Sequence, residues 1–234
     1  GSMAGFITAR EALTYSKNLT SIKTVDMLGL DTALEYGERA GLKYAPESHT
    51  MSALALGQFE QPQGNRDGGN TTILASAYGA LVNNGVIYEP SLYTRVEDAS
   101  GNVLLEKEPK ATTLFSPQTS YILYDILKGS STKAQFNDIP VAGKTGTTDN
   151  SDNFWFAGVT PYYSGSVWIG YDIPQKMYGS SGSAATLFGK VMDVVHSGLS
   201  YTDIEAPSGL VQAEVCKDSG KSPTNLCYHD QRGN

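Results

Sequence analysis

The chain has 234 residues, 40% of them hydrophobic, and 17 Lys and Arg against 24 Asp and Glu give a formal net charge of -7. That length can bury a sizeable core in one large domain or two small ones. The acidic balance, without a basic run or arginine stripe, argues against nucleic acid or an anionic membrane as partner, and no apolar stretch is long enough to span a bilayer.

In chain order, GSMAG at 1–5 reads as a cloning remnant rather than a signal peptide. Residues 6–42 read as helical, through TAREALTYS, LTSIKTVDMLGL and DTALEYGERAG, with Asp31 capping the run from Thr32 to Ala40 and Gly41 closing it. Ser16-Lys17-Asn18 falls at the break between the first two segments. Ser16 or Asn18 suits a plain N-cap there; alternatively the two side chains, two residues apart on a tight turn, face one cavity. Residues 45–70, ending LGQFEQPQGNRDGGN, predict an exposed connection. Thr71 or Thr72 then caps ILASAYGALVNNG, a helix ended by Asn-Gly.

YTRVEDASGNVLLEKE predicts short strands turning at Ser100-Gly101-Asn102. Ser116-Pro117 opens an amphipathic helix whose buried side carries Tyr121, Leu123, Tyr124, Ile126 and Leu127. Residues 139–171 predict three strands, IPVAGKTGT, NFWFAGVTP and SGSVWIGYD, with Phe154, Trp155, Phe156, Tyr162 and Tyr163 as sheet core. AATLFGKVMDVVHSGL returns as a closing helix. Helices on an antiparallel sheet give an α+β class rather than a doubly wound one. After Tyr201 the chain turns polar, and Cys216 and Cys227 enclose KDSGKSPTNL, a loop suited to a disulfide. With His229 they leave a metal site one ligand short, so neither metal nor cofactor is expected. His49 and His196 receive no chemical role.

The stretch VAGKTGTTDN, 141–150, carries a Gly-Lys-Thr open to two readings. A phosphate loop needs a second glycine five residues before the Gly-Lys pair, and that position holds Asp138. The run that follows, Asp149 to Asn153, favours turns over the helix such a loop must open. The other reading is a strand at a sheet edge. Gly143 and Gly146 let a ligand backbone approach, Lys144 supplies a positive charge, and Thr145 and Thr147 supply hydroxyls.

Ser16-Lys17-Asn18 joined to Lys144-Thr145-Gly146-Thr147 fits two parts of the three-part signature of penicillin-binding proteins and class A β-lactamases. Over most of its length the sequence resembles the transpeptidase domain of a class A penicillin-binding protein from a Gram-positive bacterium. The likeness is carried by REALTYSKNLTSIKTVDMLG, LASAYGALVNNG, VAGKTGTTDN, NFWFAGVTPYYSGSVWIGYD and VCKDSGKSPTNLC. It implies a parent protein at the extracytoplasmic face of the cell membrane. There a serine is acylated by the D-Ala-D-Ala end of a peptidoglycan stem peptide, a second stem peptide's amine resolves the acyl-enzyme, and β-lactam antibiotics imitate the donor. By the same resemblance, Ser16 would help pass the proton to the departing group, and Asn18 would orient the substrate amide and the catalytic lysine. Lys144 would supply positive potential and attract the terminal carboxylate. Thr145 and Thr147 would bind that carboxylate, the Thr147 amide would form half of an oxyanion hole, and Gly146 would stay small for the acyl chain.

One part of the signature is missing. The family's Ser-x-x-Lys precedes Ser-x-Asn, and none of the 15 residues before Ser16 forms it. Ser130-Ser131-Thr132-Lys133 fits the letters but follows Gly129 in a loop just before the Lys-Thr-Gly strand. The expectation is therefore a transpeptidase portion at 6–200, incomplete at its N-terminus, with a polar tail at 201–234. Its nucleophile comes from an upstream segment, and the chain is inactive by itself and makes no membrane contact. A β-lactamase or DD-carboxypeptidase shares the same motifs, and a non-catalytic module binding cell-wall peptides or proteins is the reading from another class.

Overall fold

Reciprocal hydrogen bonds start the first helix, α1 (Ala9–Thr14): the Thr8 hydroxyl accepts from the Glu11 amide and the Glu11 carboxylate accepts from the Thr8 amide, both at 3.1 Å. The computed structural model describes residues 7–59, 67–216 and 221–228, so the expected cloning remnant and the middle of the 45–70 connection lie outside it. Next come α2 (Asn18–Leu28) and α3 (Leu30–Arg39). Asp31 does not cap α3. It lies inside the first turn, because Gly29, with φ 89°, already turns the chain into the helix. Gly41 closes α3 as expected: at φ 95° its amide reaches the Glu38 carbonyl and the Leu42 amide reaches the Gly37 carbonyl, the pair of bonds that satisfies a helix's last carbonyls.

The connection after Ala45 is less irregular than its composition suggests. It holds a 3-10 turn at Pro46–Ser48 and a short helix, α4 (Met51–Leu56), which the Thr50 hydroxyl caps by accepting from the Ala53 amide at 3.2 Å. α5 (Thr71–Gly79) is capped by Asn70, not by Thr71 or Thr72. Asn70 keeps an extended backbone and its side-chain carbonyl accepts from the Ile73 amide at 2.9 Å, while both threonines are already helical. Four short strands follow: β1 (Val86–Tyr88), β2 (Arg95–Glu97), β3 (Val103–Glu106) and β4 (Ala111–Thr113). β2 and β3 form the expected hairpin, and β1 pairs antiparallel with β4 outside it. The helix at Ser116-Pro117 forms as α6 (Pro117–Lys128), with Tyr124, Ile126 and Leu127 buried and Tyr121 and Leu123 half-buried.

The three predicted strands are β5 (Ala142–Thr147), β6 (Asn153–Val159) and β7 (Ser164–Gly170), antiparallel in the order β5-β6-β7, with β5 at an edge. Side chains alternate between two covered faces. Phe154 and Phe156 pack with Phe188 and Met192 of α7 (Gly182–Val195) on one. Ala142 and Val159 pack with Leu81, Tyr124 and Leu127 on the other. Trp155 belongs to this second face and is half-buried, and Tyr162 and Tyr163 are exposed at the turn after β6, so only Phe154 and Phe156 of the expected aromatic set enter the core.

Tyr162 and Tyr163 instead stand edge-on to His196, which is 2% exposed. Its Nδ1 donates to the Met192 carbonyl at 2.7 Å, leaving Nε2 to accept from the Thr160 hydroxyl at 2.8 Å. That lock ties the end of α7 to the sheet. Beyond Tyr201 the chain is still anchored: Ile204 packs on the second core and the Asp203 carboxylate accepts from Tyr124 at 2.5 Å. The expected disulfide is not formed. Cys216 and Cys227 are thiols, the latter in a four-residue helical turn, α8 (Asn225–Tyr228), and residues 217–220 of the loop between them lie outside the described set.

Candidate active site

The turn between α1 and α2 repeats the geometry that closes α3, with serine where α3 has glycine. Ser16 sits at φ 51°; its amide reaches the Leu13 carbonyl at 3.3 Å and the Lys17 amide reaches the Ala12 carbonyl at 2.8 Å. A left-handed serine costs about 1 to 2 kcal/mol relative to glycine. Lys17, not Ser16 or Asn18, occupies the N-cap of α2, without a side-chain cap bond. The Ser16 hydroxyl is thereby freed from capping and accepts a hydrogen bond from Lys144 Nζ, 128 residues away.

On β5 the parity of the strand sorts the site. Lys144 and Gly146 stand opposite Ala157 and Trp155, on the face toward α5 and α6, while Thr145 and Thr147 stand opposite Phe156 and Phe154, on the face toward α7. The two threonine hydroxyls make no hydrogen bond among the described residues. The main chain shows the same alternation. Val141 and Gly143 present their carbonyls to the hydroxyls of Ser131 and Ser130, and the Thr145 carbonyl accepts from Lys144 Nζ at 3.2 Å. Odd-numbered residues therefore turn their peptide groups to the open edge, and the Thr147 amide follows that parity.

The two glycines differ in cause. A Cβ at Gly143 would lie 2.4 Å from the Phe156 ring and 2.7 Å from the Ala157 carbonyl, so the fold itself requires glycine there. At Gly146 the same atom would meet Trp155 at 3.4 Å, an ordinary contact, so any requirement for glycine comes from what lies against the strand. Burial holds the Lys144 ammonium below the usual lysine range, which sharpens its attraction for an anion in the same partly dry groove. Past the end of β5, Gln58 of the segment after α4 donates to Asp149 at 2.9 Å.

Of the residues singled out in the sequence, the structure brings Ser16 into contact with Lys144. Thr145, Gly146 and Thr147 are aligned beside them. Asn18 opens α2, exposed and two residues from Ser16, with no hydrogen bond to Lys144. Cys216 and Cys227 belong to the C-terminal stretch rather than to this strand. Sequence reasoning missed the use of Ser130 and Ser131 on the carbonyls of β5; nothing in Ser-Ser-Thr-Lys signals it.

A serine on a tight turn that accepts from the lysine of a Lys-Thr-Gly edge strand is matched by a family comparison. The penicillin binding protein transpeptidase domain matches residues 2–193. The chain belongs to that family. Penicillin-binding protein 1A of Clostridium perfringens strain ATCC 13124 is 49% identical over 239 residues, covering 99% of this chain and 29% of that protein. Penicillin-binding protein 1A/1B of Bacillus subtilis strain 168 is 30% identical over 246 residues, covering 95% of this chain and 26% of that protein.

Among solved structures, penicillin-binding protein 1A from Haemophilus influenzae superposes with a TM-score of 0.75 at 19% identity, covering 94% of this chain and 39% of that one. PonA1 from Mycobacterium tuberculosis in complex with penicillin V gives 0.68 at 21% identity, covering 90% and 62%. The fold is the α+β fold of penicillin-binding protein transpeptidases. The chain spans under a third of the length of the two curated relatives.

Proposed function

We propose that these residues supply the second and third parts of a peptidoglycan D,D-transpeptidase site, and that the acylated serine and its lysine lie outside the 234 residues. The observation that carries this reading is the hydrogen bond from Lys144 to Ser16 beside an open strand edge. In the proposed reaction a serine Oγ bonds to the carbonyl carbon of the penultimate D-Ala of a stem peptide. The C–N bond to the terminal D-Ala breaks, and the proton leaving the serine reaches the departing nitrogen through the Ser16 hydroxyl. The amine of a second stem peptide then displaces the serine and completes the cross-link.

Lys144 attracts the terminal carboxylate, Thr145 and Thr147 hold it, Asn18 orients the substrate amide, and the Thr147 amide donates to the developing oxyanion. β-Lactams enter as mimics of the same donor, in keeping with the penicillin V complex of the structural relative. Further support comes from α2, where Leu19, Met27 and Leu28 are exposed and give an apolar surface suited to the nucleophile-bearing segment. The parent protein acts at the extracytoplasmic face of the membrane. Among the described residues no helix is long and apolar enough to cross a bilayer.

The test is the rate of penicillin acylation of the longer protein that contains this segment. Lys144→Ala is expected to slow it by about 100-fold, the scale of one lost electrostatic contact to a reacting group, while Lys144→Arg retains more of the rate. Because burial lowers the lysine's pKa, the charge and its attraction are present at low pH and lost as pH rises, below the value of about 10.4 for a free lysine. The arginine variant should carry its activity further into alkali. Unchanged acylation in Lys144→Ala overturns the assignment.

A further inference from the structure

We propose that Ser130 and Ser131 act as an end-stop on the catalytic strand, closing the β5 edge at Gly143 so that the groove admits only a peptide whose chain ends beside Lys144. The inference rests on the transpeptidase reading above and adds the residues that restrict the site to chain termini. An exposed edge strand offers its peptide groups to any extended chain. Here the start of the edge, at Gly143 and at Val141 just before β5, is already taken. The Ser130 hydroxyl donates to the Gly143 carbonyl at 2.6 Å, closer than the Leu127 carbonyl at 3.1 Å. The Ser131 hydroxyl, 1% exposed as a residue, donates to the Val141 carbonyl at 2.5 Å, and Gln135 Nε2 donates to the same carbonyl at 3.2 Å.

Beyond that plug no strand pairs with the edge at Thr145 and Thr147 among the described residues; the Thr145 carbonyl accepts from Lys144 Nζ at 3.2 Å, a contact a ligand amide would replace. A ligand strand can add there in two directions. Paired parallel to β5, it would bring its N-terminal ammonium toward Lys144, and like charges repel. Paired antiparallel, it brings its C-terminus toward Lys144 and Ser16, and the next residue of a longer chain would meet Ser130 where it needs the Gly143 carbonyl. Charge therefore selects the direction and the plug selects the length. The hydroxyls that resemble a Ser-x-x-Lys nucleophile in the sequence are thereby occupied as donors to the main chain.

The test uses the longer protein and three ligands: an N-acylated peptide ending in D-Ala-D-Ala, its C-terminal amide, and the same peptide extended by one glycine with its carboxylate retained. Acylation efficiency kcat/KM is read for each. Wild type is expected to reject the glycine-extended peptide by about 100-fold relative to the free acid, because the groups at the stop are left unpaired. Equal use of the extended peptide by wild type overturns the end-stop without any variant being made. Ser130→Gly should lower that ratio by about tenfold, mainly by faster reaction of the extended peptide, and Ser130→Thr, which keeps the hydroxyl, should preserve it. A ratio unchanged in Ser130→Gly also overturns the proposal. Failure of wild type to be acylated by any of the three peptides overturns the transpeptidase reading together with it, so the two failures are distinct.

Discussion

At Ser16 structure and chemistry pull in opposite directions, and a single substitution separates them. The left-handed turn would be better served by glycine, as at Gly41, yet the hydroxyl is what meets Lys144. Ser16→Gly should leave the fold intact or stabilise it by about 1 kcal/mol while lowering penicillin acylation of the longer protein by about 100-fold. Thermal midpoint and acylation rate, measured on the same sample, check both halves; a drop in stability with unchanged acylation would restore the plain structural role. The glycines of β5 divide the same way. Gly143→Ala should destabilise the protein by several kcal/mol, on the scale of overpacking against buried backbone. Gly146→Ala should fold with a midpoint close to wild type and lose acylation. The pairing of Ser16 with Lys144 was legible in the sequence because the two motifs are short and recognisable by residue type and spacing. The left-handed backbone of Ser16 and the occupied carbonyls of Val141 and Gly143 were not, since each depends on a partner distant in sequence or on the turn's own closure.

Among the elements, α6 holds the site's pieces in common. Arg10 of α1 pairs with Asp125 at 2.6 Å, so the helix that leads into the Ser16 turn is docked on α6. The same helix runs directly into Ser130 and Ser131, which hold β5. Its buried Tyr124 donates to Asp203, and Lys128 pairs with Asp203 at 3.3 Å, which fastens the chain after α7. Burial opposes ionisation of Asp203, but the hydrogen bonds from Tyr124 and Ile204 and the charge of Lys128 outweigh it and lower its pKa. A carboxylate with a lowered folded pKa contributes stability above its unfolded value of about 3.9, and that stability is lost as pH falls through the folded value. Tyr124→Phe should therefore cost about 2 kcal/mol at pH 7, with the gap to wild type narrowing at acid pH. Urea midpoints of both proteins on either side of that window check it, and a gap independent of pH contradicts the clamp.

α6 itself, the three-stranded sheet and α7 were legible because periodicity and turn residues agree with the packing. α4 was obscured by the Gly and Gln around it, and β1 with β4 by their length and by a pairing that spans the β2–β3 hairpin. Asn70 displaced Thr71 and Thr72 because the cap is set by which residue stays extended, which composition does not show.

In the whole molecule, one face of the sheet is closed by α7 and the other by the core around Leu81, Tyr124 and Leu127, which leaves the β5 edge, with Ser16 beside Lys144, as the place where a ligand can add. The family and its fold follow from the match over residues 2–193 and the likeness to solved transpeptidases. The proposed transpeptidase site lies at this strand edge and is completed by a nucleophile from outside the chain. The most direct measurement is intact mass after incubation with a penicillin, for the 234-residue chain and for the longer protein that contains it, with the modified residue located by peptide mapping. One penicilloyl adduct is expected on the longer protein, at a serine outside these residues, and none on the chain by itself. An adduct on the isolated chain, above all at Ser130, or no adduct on the longer protein, would contradict it.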